Sequence, residues 1–507
     1  MIIIGAGPTG LALACQLIRY GIDFVIVDKR ETTTPHSKAI GVQARTLEIY
    51  EQIGLAEKLL EQGEVAGKAR FIVNGRVRGE ANFEEMGKGL SPYPFILMVE
   101  QGRHEAILHD HINSAGRSVS WRNELKSLNQ SEEGVTANIE TADGVSQTIE
   151  AKFLVGCDGA KSTVRHALGL TFEGGTFERM FYVADVEIDW EFPHDGGHAF
   201  LLKDNLLVFF PMYGENQWRI VGTFPEEFTK DEGDVLYEEI EEQINQDAQL
   251  KIDITKVNWF STYKVHTRRT SRFSLGRCFL AGDSAHIHTP AGAQGMNTGI
   301  QDGYNLAWKL AMVVRGSINK KILDTYDEER LKNADDLLKT TDWFFDLATS
   351  RNPLTAFLRM HVFPYVAGMA LRSGAFRRFV FPRVSQIGIN YRHALLSDHG
   401  DSYLKVRAGD RFPYFTVAGE SIYDRLREPK FHVITFTDEQ TGRSLERLMG
   451  DLGELVDGHQ VPLLPQVVEI FGTQKPFALL LRPDNYIATV SRDTSLAPIE
   501  DYLKRCL

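Results

Sequence analysis

Short runs of apolar residues alternate with segments of helical periodicity at the start of the chain. The runs at 2–4 and 24–27 predict buried strands, and segment 11–20 between them predicts a helix that ends at Gly21. Two strands joined by a helix within about 30 residues are typical of a parallel sheet. Further elements of the same kinds are buried strands at 153–155 and 278–281 and a long helix at 296–314. The pattern therefore predicts an α/β protein.

Other parts of the chain have different patterns. Alternation with two turns at 119–150 predicts a small antiparallel meander, and several strands surround one acidic helix (234–246) between 182 and 262. The last hundred or so residues predict a compact separate α/β unit. Its elements are a strand at 431–436, a helix at 444–452 and strands at 477–481 and 486–490.

Composition excludes several classes of protein. The 507 residues are 43% hydrophobic and 24% charged, which is typical of a globular protein of about three domains. A net charge of −12 argues against nucleic acid as a partner. Four widely spaced cysteines predict neither a disulfide framework nor a zinc site, and reduced thiols indicate a cytoplasmic protein. The apolar stretch 362–381 carries three arginines, which argues against a membrane span, and no signal peptide is recognised.

The first motif with chemical content is Gly5-x-Gly7-x-x-Gly10, which follows the first strand and opens the first helix. Gly5 permits the tight turn, and Gly7 lets the backbone approach a pyrophosphate at the helix N-terminus. Asp28, at the end of the second strand, can accept hydrogen bonds from ribose hydroxyls. The motif predicts dinucleotide binding but does not separate FAD from NAD.

Two further motifs follow buried strands. Segment 156–165 (GCDGAKSTVR) carries Asp158, and segment 282–297 carries an acid, a proline–glycine loop and the start of the long helix. The free N–H groups of a helix N-terminus would stabilise the negative N1 and O2 edge of a reduced flavin. Taken singly, Asp158 could form only an Asx turn and Gly295 only a helix cap.

The three motifs, in this order and spacing, resemble the single-component (group A) flavoprotein aromatic hydroxylases, such as para-hydroxybenzoate and phenol hydroxylase. Segments 38–47 and 101–108 and the pattern Leu323-x-x-Tyr326-x-x-Glu329-Arg330 also match this family. The later segments 385–392, 408–411 and 481–484 resemble the branch with a C-terminal thioredoxin-like domain. That branch includes polyketide hydroxylases and rifampicin monooxygenase.

The resemblance implies a Rossmann-like FAD-binding domain of the GR2 type, an inserted mixed-sheet substrate domain and a C-terminal thioredoxin-like domain. The expected bounds are 1–75, 99–180 and 270–345 for the discontinuous FAD-binding domain, 76–98 with 181–269 for the substrate domain, 346–395 for a helical connector and 396–507 for the thioredoxin-like domain. Cys506 is the only cysteine of that last domain, so dithiol exchange is not expected there.

The resemblance also implies which residues hold the cofactor. Asp28 and Lys29 would hold the adenosine, Arg45 and Gln101 would lie along the pyrophosphate and ribityl chain, and the backbone near Leu125 would meet adenine. Asp158 would lie between the flavin and a transient nicotinamide site, with Arg165 nearby, and Asp283 would bond the ribityl chain. The loop that lines the isoalloxazine would supply Pro290, Gly292, Gly295, Met296 and Asn297. Ala293 departs from the family, in which a second glycine is common, and its methyl group narrows the loop.

The implied activity is hydroxylation of an aromatic, phenolic or polyketide-like small molecule with O2 and NADPH or NADH, through a flavin C4a-hydroperoxide. One alternative is a Baeyer–Villiger or epoxidising monooxygenase that inactivates an antibiotic; another is a flavin redox sensor outside metabolism. A second GxGxxG is absent, which fits a nicotinamide that visits only transiently, and the absence of WxWxIP disfavours a flavin halogenase. A homodimer is left open.

Several residues whose side chains could bind metal, act as a base or line a pocket are given less weight. His286 and His288 lie inside the flavin loop without a third ligand, so no metal is predicted. The catalytic base is left unassigned among His198, Tyr213 and Arg219. Segment 206–211, with two phenylalanines, fits either a pocket wall or ordinary sheet core. Trp308 and Lys309 are expected to serve packing and the surface.

Overall fold

The computed structural model describes residues 1–35, 39–203, 205–224, 234–289, 291–350, 352–400, 404–438 and 442–506. Its strands in chain order are β1 (Ile2–Ile4), β2 (Val25–Asp28), β3 (Gly41–Val42), β4 (Glu64–Ala66), β5 (Lys68–Val73), β6 (Arg76–Asn82), β7 (Ile96–Met98), β8 (Val119–Trp121), β9 (Glu124–Gln130), β10 (Val135–Glu140), β11 (Ser146–Ala151), β12 (Leu154–Gly156), β13 (Glu173–Asp189), β14 (Gly196–Leu201), β15 (Leu206–Pro211), β16 (Gln217–Thr223), β17 (Asp253–Arg269), β18 (Ser274–Leu275), β19 (Cys278–Leu280), β20 (His286–Ile287), β21 (Thr416–Val417), β22 (Glu420–Ser421), β23 (Phe431–Phe436), β24 (Val456–Val461), β25 (Phe477–Leu481) and β26 (Ile487–Ser491).

The α-helices in chain order are α1 (Pro8–Arg19), α2 (Ala44–Glu51), α3 (Ala56–Glu61), α4 (Gln101–Ser114), α5 (Thr163–Ala167), α6 (Glu238–Ala248), α7 (Gly295–Arg315), α8 (Asp324–Thr349), α9 (Pro353–His361), α10 (Phe363–Arg372), α11 (Gly374–Val384), α12 (Gly442–Leu452), α13 (Pro465–Phe471) and α14 (Ala497–Cys506).

The first sheet has the order β18-β19-β12-β1-β2-β8, and all of it except the edge strand β18 is parallel. Strands β1, β12 and β19 are buried along their whole length, as expected of parallel strands with both faces covered. The chain moves from β1 to β2 on one side and later returns to β12 on the other. Such a reversal of strand order creates the crevice in which dinucleotides bind.

The second sheet has eight strands in the order β20-β17-β13-β16-β15-β14-β5-β6. Helix α6 covers its outer face, where Trp218 and Ile220 pack with Ile240 and Ile244. The expected boundary between residues 75 and 76 falls inside the β5–β6 hairpin, because β5 pairs in this sheet with β14 and β6. Strand β13 likewise enters this sheet at 173, earlier than the expected bound of 181.

The C-terminal unit follows a β-α-β-α-β-β-α order with the sheet β24-β23-β25-β26. Strands β23 and β24 are parallel, and β25 and β26 are antiparallel to their neighbours. This is the topology of a thioredoxin-like domain. Within the described ranges, no single helix has the length and apolarity to cross a membrane; helices α9 and α10, bent by 53°, meet that test only as a pair.

A buried ion cluster joins the C-terminal unit to the unit that contains the first sheet. Lys309 on α7 contacts Glu329 on α8 at 2.8 Å, and Arg482 bridges Glu329 and Asp484; these side chains are 0–1% exposed. The expected surface position of Lys309 is therefore wrong, because the docked C-terminal unit covers this part of α7. Trp308 packs as expected and also donates a hydrogen bond to Asp484 at 3.1 Å.

Candidate functional site

In the glycine loop between β1 and α1, the space for a Cβ atom is free at one glycine and occupied by backbone atoms at the other two. A Cβ on Gly5, whose φ is +102°, would lie 2.3 Å from the carbonyl oxygen of Cys157, and a Cβ on Gly10 would lie 1.9 Å from that of Gly5. A Cβ on Gly7 would meet no protein atom within 4 Å. Gly7 therefore faces free space at the start of α1, where N–H groups and the helix dipole attract an anion.

Asp28 lies at the end of β2, beside the glycine loop, and is mostly buried. Its carboxylate accepts the backbone N–H of Ala6 at 2.7 Å and the N–H groups of Arg30, which also contacts Glu105. The guanidinium of Arg30 thus covers the carboxylate that was expected to bind ribose. Arg30 was not singled out from the sequence, although its position two residues after the strand-end acid is a usable signal. Lys29 is exposed at the same edge.

Asp158 lies in the second motif, beside the glycine loop. Its carboxylate accepts hydrogen bonds from Ser162 Oγ at 2.5 Å and from the backbone N–H of Val164 at 3.2 Å, and burial raises its pKa. Arg165 donates to the carbonyl oxygen of Ser284 at 2.9 Å. This bond ties the second motif to the third.

Asp283 is exposed to solvent and is also surrounded by protein groups. Its side chain is in contact with solvent, yet surrounding protein raises its pKa by desolvation, as expected of a group in a concave part of the surface. Beneath it, Asp302 accepts the Gly282 N–H, a His286 ring nitrogen at 2.8 Å and Arg330 at 2.6 Å. His286 is therefore held by an acid of α7, and this contact gives it a structural role in place of metal binding.

The start of α7 adjoins the same part of the surface. Gly292 and Ala293 both have positive φ, +76° and +52°. The Asn297 side chain accepts the Gln43 N–H at 2.9 Å and donates to Gly41 and Ala293 carbonyls, so it fixes the loop before α2 against α7. Pro290 lies outside the described residues.

His104 and Tyr50 lie directly behind Met296. Ring nitrogens of His104 lie 3.3 Å from Met296 Sδ and 2.7 Å from the Tyr50 hydroxyl, and burial lowers the pKa of His104 to about 4. A neutral histidine therefore supports the residue expected at the flavin. Neither His104 nor Tyr50 was singled out from the sequence.

Three other residues that were expected to contact the cofactor have side chains that contact other protein groups. The Arg45 guanidinium bonds Glu48 and the carbonyl oxygen of Asp484, at the C-terminal unit. Gln101 donates to Glu105 at 2.8 Å, and the Leu125 side chain packs in the core of the first sheet. Leu125 was expected to act through its backbone, so its side-chain position leaves that role open. The Arg45 guanidinium, expected along the pyrophosphate and ribityl chain, contacts the C-terminal unit.

An apolar cluster lies where the end of β15 in the second sheet meets the small separate sheet β3-β7-β4. Ile40, Ala66, Met98 and Met212 are 5–7% exposed and pack with Phe210 and Ile96. A Cβ on Gly41 would lie 2.8 Å from Ala293 Cβ and 3.9 Å from Ile96, so this cluster adjoins the start of α7. Strand alternation divides the two phenylalanines: Phe210 lies in this cluster, and Phe209 is sheet core under α6.

Of the three polar candidates for a base, His198 and Arg219 are buried and bonded to other protein groups, although His198 Nδ1 has no hydrogen-bond partner among the described residues. His198 is buried among Trp190, Phe192 and Trp218 and bonds the Pro193 carbonyl at 3.0 Å. Arg219 forms a bidentate ion pair with Asp185 at 2.6 and 2.7 Å.

Tyr213, the third candidate, is 39% exposed and stacks against Arg103, with 4.7 Å between the guanidinium carbon and the ring centroid.

One ring nitrogen of His288 is a hydrogen-bond acceptor that has no partner among the described residues. Its Nδ1 bonds the Thr289 carbonyl at 2.7 Å, so Nε2 carries the lone pair, and burial lowers its pKa to about 4. Nε2 is buried and, among the described residues, has no hydrogen-bond partner. A Cβ on Gly295 would lie 3.1 Å from it, so Nε2 lies at the N-terminus of α7.

The residues present fit an FAD cofactor. Open space at Gly7 adjoins a helix start without acidic residues in its first turn, and the Asp283 side chain is exposed. The strand reversal and the three converging motifs define a protein that binds an extended dinucleotide, and the apolar cluster lies beside the start of α7.

Comparison with known proteins gives the family. The profile of the family described as FAD binding domain matches residues 1–341, and the chain belongs to this family. A flavin-dependent monooxygenase of Mycobacteroides abscessus is 31% identical over 528 residues, covering 100% of this chain and 99% of the relative. Pentachlorophenol 4-monooxygenase of Sphingobium chlorophenolicum is 30% identical and covers 100% and 97%.

A solved structure, anhydrotetracycline hydroxylase OxyS from Streptomyces rimosus, superposes with a TM-score of 0.78 at 27% identity, covering 100% and 98% of the two chains. The resemblance drawn from the motifs is thereby confirmed. The protein is an FAD-dependent monooxygenase with a Rossmann-like cofactor domain, and the redox-sensor alternative is not favoured.

Proposed function

We propose that this monooxygenase hydroxylates a phenolic or polyketide-like aromatic compound, with NADPH or NADH as transient reductant and O2 as co-substrate. The observation that carries the proposal is the apolar cluster around Phe210 and Met212, which adjoins the start of α7. The pentachlorophenol and anhydrotetracycline enzymes named above are relatives whose substrates carry aromatic rings, which supports the same class here.

Each group of residues has a distinct task in this proposal. FAD, when bound, supplies the redox and oxygen-transfer chemistry. Gly7 and the N-terminus of α1 would hold its pyrophosphate, Asp283 its ribityl chain and the start of α7 its ring. The apolar cluster would orient the substrate ring and exclude water from the reacting centre.

We propose that His288 accepts a hydrogen bond from the hydroxyl group of the substrate. A buried acceptor without a partner costs free energy, which a bound hydroxyl would recover by donating to Nε2. A neutral histidine with a pKa near 4 fits the role of hydrogen-bond acceptor better than that of a strong base.

Anaerobic flavin reduction tests the proposed function. The purified yellow protein is mixed with NADPH or NADH, alone and with a panel of phenols, polyketide aromatics and rifamycin-like compounds. We expect one aromatic compound to accelerate bleaching strongly and to gain one oxygen atom by mass. Equal rates with every compound would contradict substrate gating, and a lactone or epoxide product would favour the Baeyer–Villiger or epoxidising alternative.

We also propose that the protein is a cytoplasmic homodimer. All four cysteines are free, which fits a reducing compartment, and α9–α11 expose large apolar side chains such as Leu354, Phe357, Met369 and Phe379. Light scattering after size exclusion should give twice the chain mass. Met369→Glu should reduce it to the chain mass, whereas Val145→Glu, on the exposed meander, should leave it unchanged. A monomeric wild type would refute this arrangement.

A further inference from the structure

Three side chains that commonly bind metals meet on one face of the C-terminal sheet. His432 lies on β23, and Asp457 and His459 lie on the adjacent parallel strand β24. The register pairs His432 with Asp457 and Ile434 with His459, so all three side chains project from the same face. One ligand atom of each lies within 4.8 Å of the other two.

The distances between these atoms match a tetrahedral site. His432 Nδ1 lies 3.1 Å from His459 Nε2, and Asp457 Oδ2 lies 3.3 Å from His459 Nε2 and 3.8 Å from His432 Nδ1. Ligands about 2.0–2.1 Å from a tetrahedral zinc ion are about 3.3–3.4 Å apart. An octahedral ion with bonds of the same length would bring them to about 2.9 Å. The observed triangle is closer to the tetrahedral value.

The ring orientation of His432 also fits metal binding. Its Nε2 donates to the carbonyl oxygen of Glu428 at 3.1 Å, which leaves the lone pair on Nδ1, directed at the other two ligands. Metal-binding histidines usually have their second ring nitrogen held in this way.

Charged groups around the cluster have both signs. Arg425 faces His459, and Arg19 and Lys430 face His432; each of these cations lowers the pKa of the histidine that it faces. The Asp457 carboxylate supplies the opposite charge within the cluster. His459 and Asp457 are 13% and 26% exposed, so solvent reaches the ligand atoms from one side.

We propose that His432, Asp457 and His459 bind one divalent transition-metal ion, with zinc favoured by the ligand geometry and a fourth position open to water. The ion would clamp the edge strand β24 to β23. No sequence pattern indicated this site, because His432 lies on a different strand, far along the chain from Asp457 and His459. The expectation of no metal rested on the cysteine spacing and on His286 and His288.

Metal titration tests the proposal. FAD-loaded protein, treated with a chelator and exchanged into chelator-free buffer, is titrated with Zn²⁺ by calorimetry and with Co²⁺ by absorbance at wavelengths longer than the flavin bands. We expect one ion per chain and visible Co²⁺ bands of a tetrahedral site. His459→Ala and Asp457→Asn should each weaken binding at least about tenfold.

The controls separate a metal site from a plain hydrogen bond. His393→Ala, which removes an exposed histidine outside the cluster, should bind metal as the wild type does. FAD content should be the same in all variants, because the cluster lies outside the flavin cleft. Absence of stoichiometric binding in the wild type, or equal binding in His459→Ala and the wild type, would overturn the proposal and leave a His432–His459 hydrogen bond.

Discussion

At the residue scale, neighbouring glycines of one motif have different tasks. Gly5 and Gly10 are glycines because other backbone atoms occupy the space of a side chain, whereas Gly7 has free space beside it. Its backbone is extended, with φ −76° and ψ −175°, which other residues adopt without strain. Folding therefore requires glycine at positions 5 and 10, whereas at position 7 glycine is required only by the proposed cofactor.

Gly7→Val should purify folded and colourless. The Cβ atom would meet no protein atom within 4 Å, and the branched side chain would fill the space proposed for the pyrophosphate. Circular dichroism should match wild-type apoprotein, and the flavin absorbance should be lost. Gly10→Val is the contrasting variant: its side chain would collide with the Gly5 carbonyl, and the protein should be destabilised or insoluble. A fully yellow Gly7→Val protein would refute the placement of FAD.

His288→Leu should uncouple reduction from hydroxylation. The variant loses the acceptor at Nε2, so we expect product formation to fall at least about tenfold while NADPH oxidation continues and releases peroxide. His288→Gln, whose amide oxygen can reach the same position, should restore part of the coupling. Equal coupling in wild type and His288→Leu would remove His288 from the substrate site.

At the scale of elements, hydrogen bonds join the loop after β19 to α7. Each of the two elements carries one acid, and one of these acids is buried whereas the other is exposed. Asp302 is fully buried and holds Gly282, His286 and Arg330, whereas Asp283 is exposed. Sequence patterns place an acid at the end of a strand, but they do not distinguish the acid that supports the loop from the acid that faces a ligand.

Asp283→Ala and Asp302→Ala should therefore affect different properties, namely FAD binding in the first and folding stability in the second. Loss of the exposed Asp283 should leave the melting temperature of the apoprotein unchanged and weaken FAD binding. Loss of Asp302 would leave Arg330 buried without its carboxylate, at a cost of about 3–5 kcal/mol. Urea unfolding of apoproteins and FAD titration distinguish the two; unaltered FAD affinity in Asp283→Ala would count against its role.

At the scale of the whole molecule, the domains are joined by buried charges. Glu329 lies between Lys309 and Arg482, and Asp484 completes a cluster with two positive and two negative groups. Burial alone would raise the pKa of Glu329, but the charges of Arg482 and Lys309 lower it to about 2. The charged carboxylate therefore stabilises the docked C-terminal unit.

Glu329→Gln should destabilise the protein by about 3–5 kcal/mol, because two buried cations would lose a partner. Glu328→Gln, next in the chain but exposed, is the matched control and should change stability little. Chemical denaturation of both variants measures the difference, and equal stability would show that the buried cluster contributes no net free energy.

The pH dependence follows from the sign of the same pKa shift. The folded pKa of Glu329 lies below its ordinary value of 4.5, so its stabilisation is complete above pH 4.5 and is lost as the pH falls toward 2. Glu329→Gln should lack this component of acid destabilisation. Denaturation curves between pH 7 and pH 3 in the two proteins provide the comparison.

The sequence determined the local features of this protein. Apolar runs and helical periodicity predicted most strands and helices, since burial of whole strands and amphipathic spacing leave a local pattern. The glycine motif, Asp158, Asp283 and the start of α7 were predicted as cofactor contacts because each needs particular residue types at short spacing. The family and the FAD cofactor followed from these motifs and are confirmed.

Tertiary structure alone decided which residues meet across long separations in the chain. Arg45 contacts the C-terminal unit, Lys309 is covered by it, and β5 joins the substrate sheet, because pairing and docking partners lie far away in sequence. The free acceptor of His288 and the cluster of His432, Asp457 and His459 have the same origin: whether a polar side chain is satisfied, and by what, depends on neighbours that the folded chain brings together.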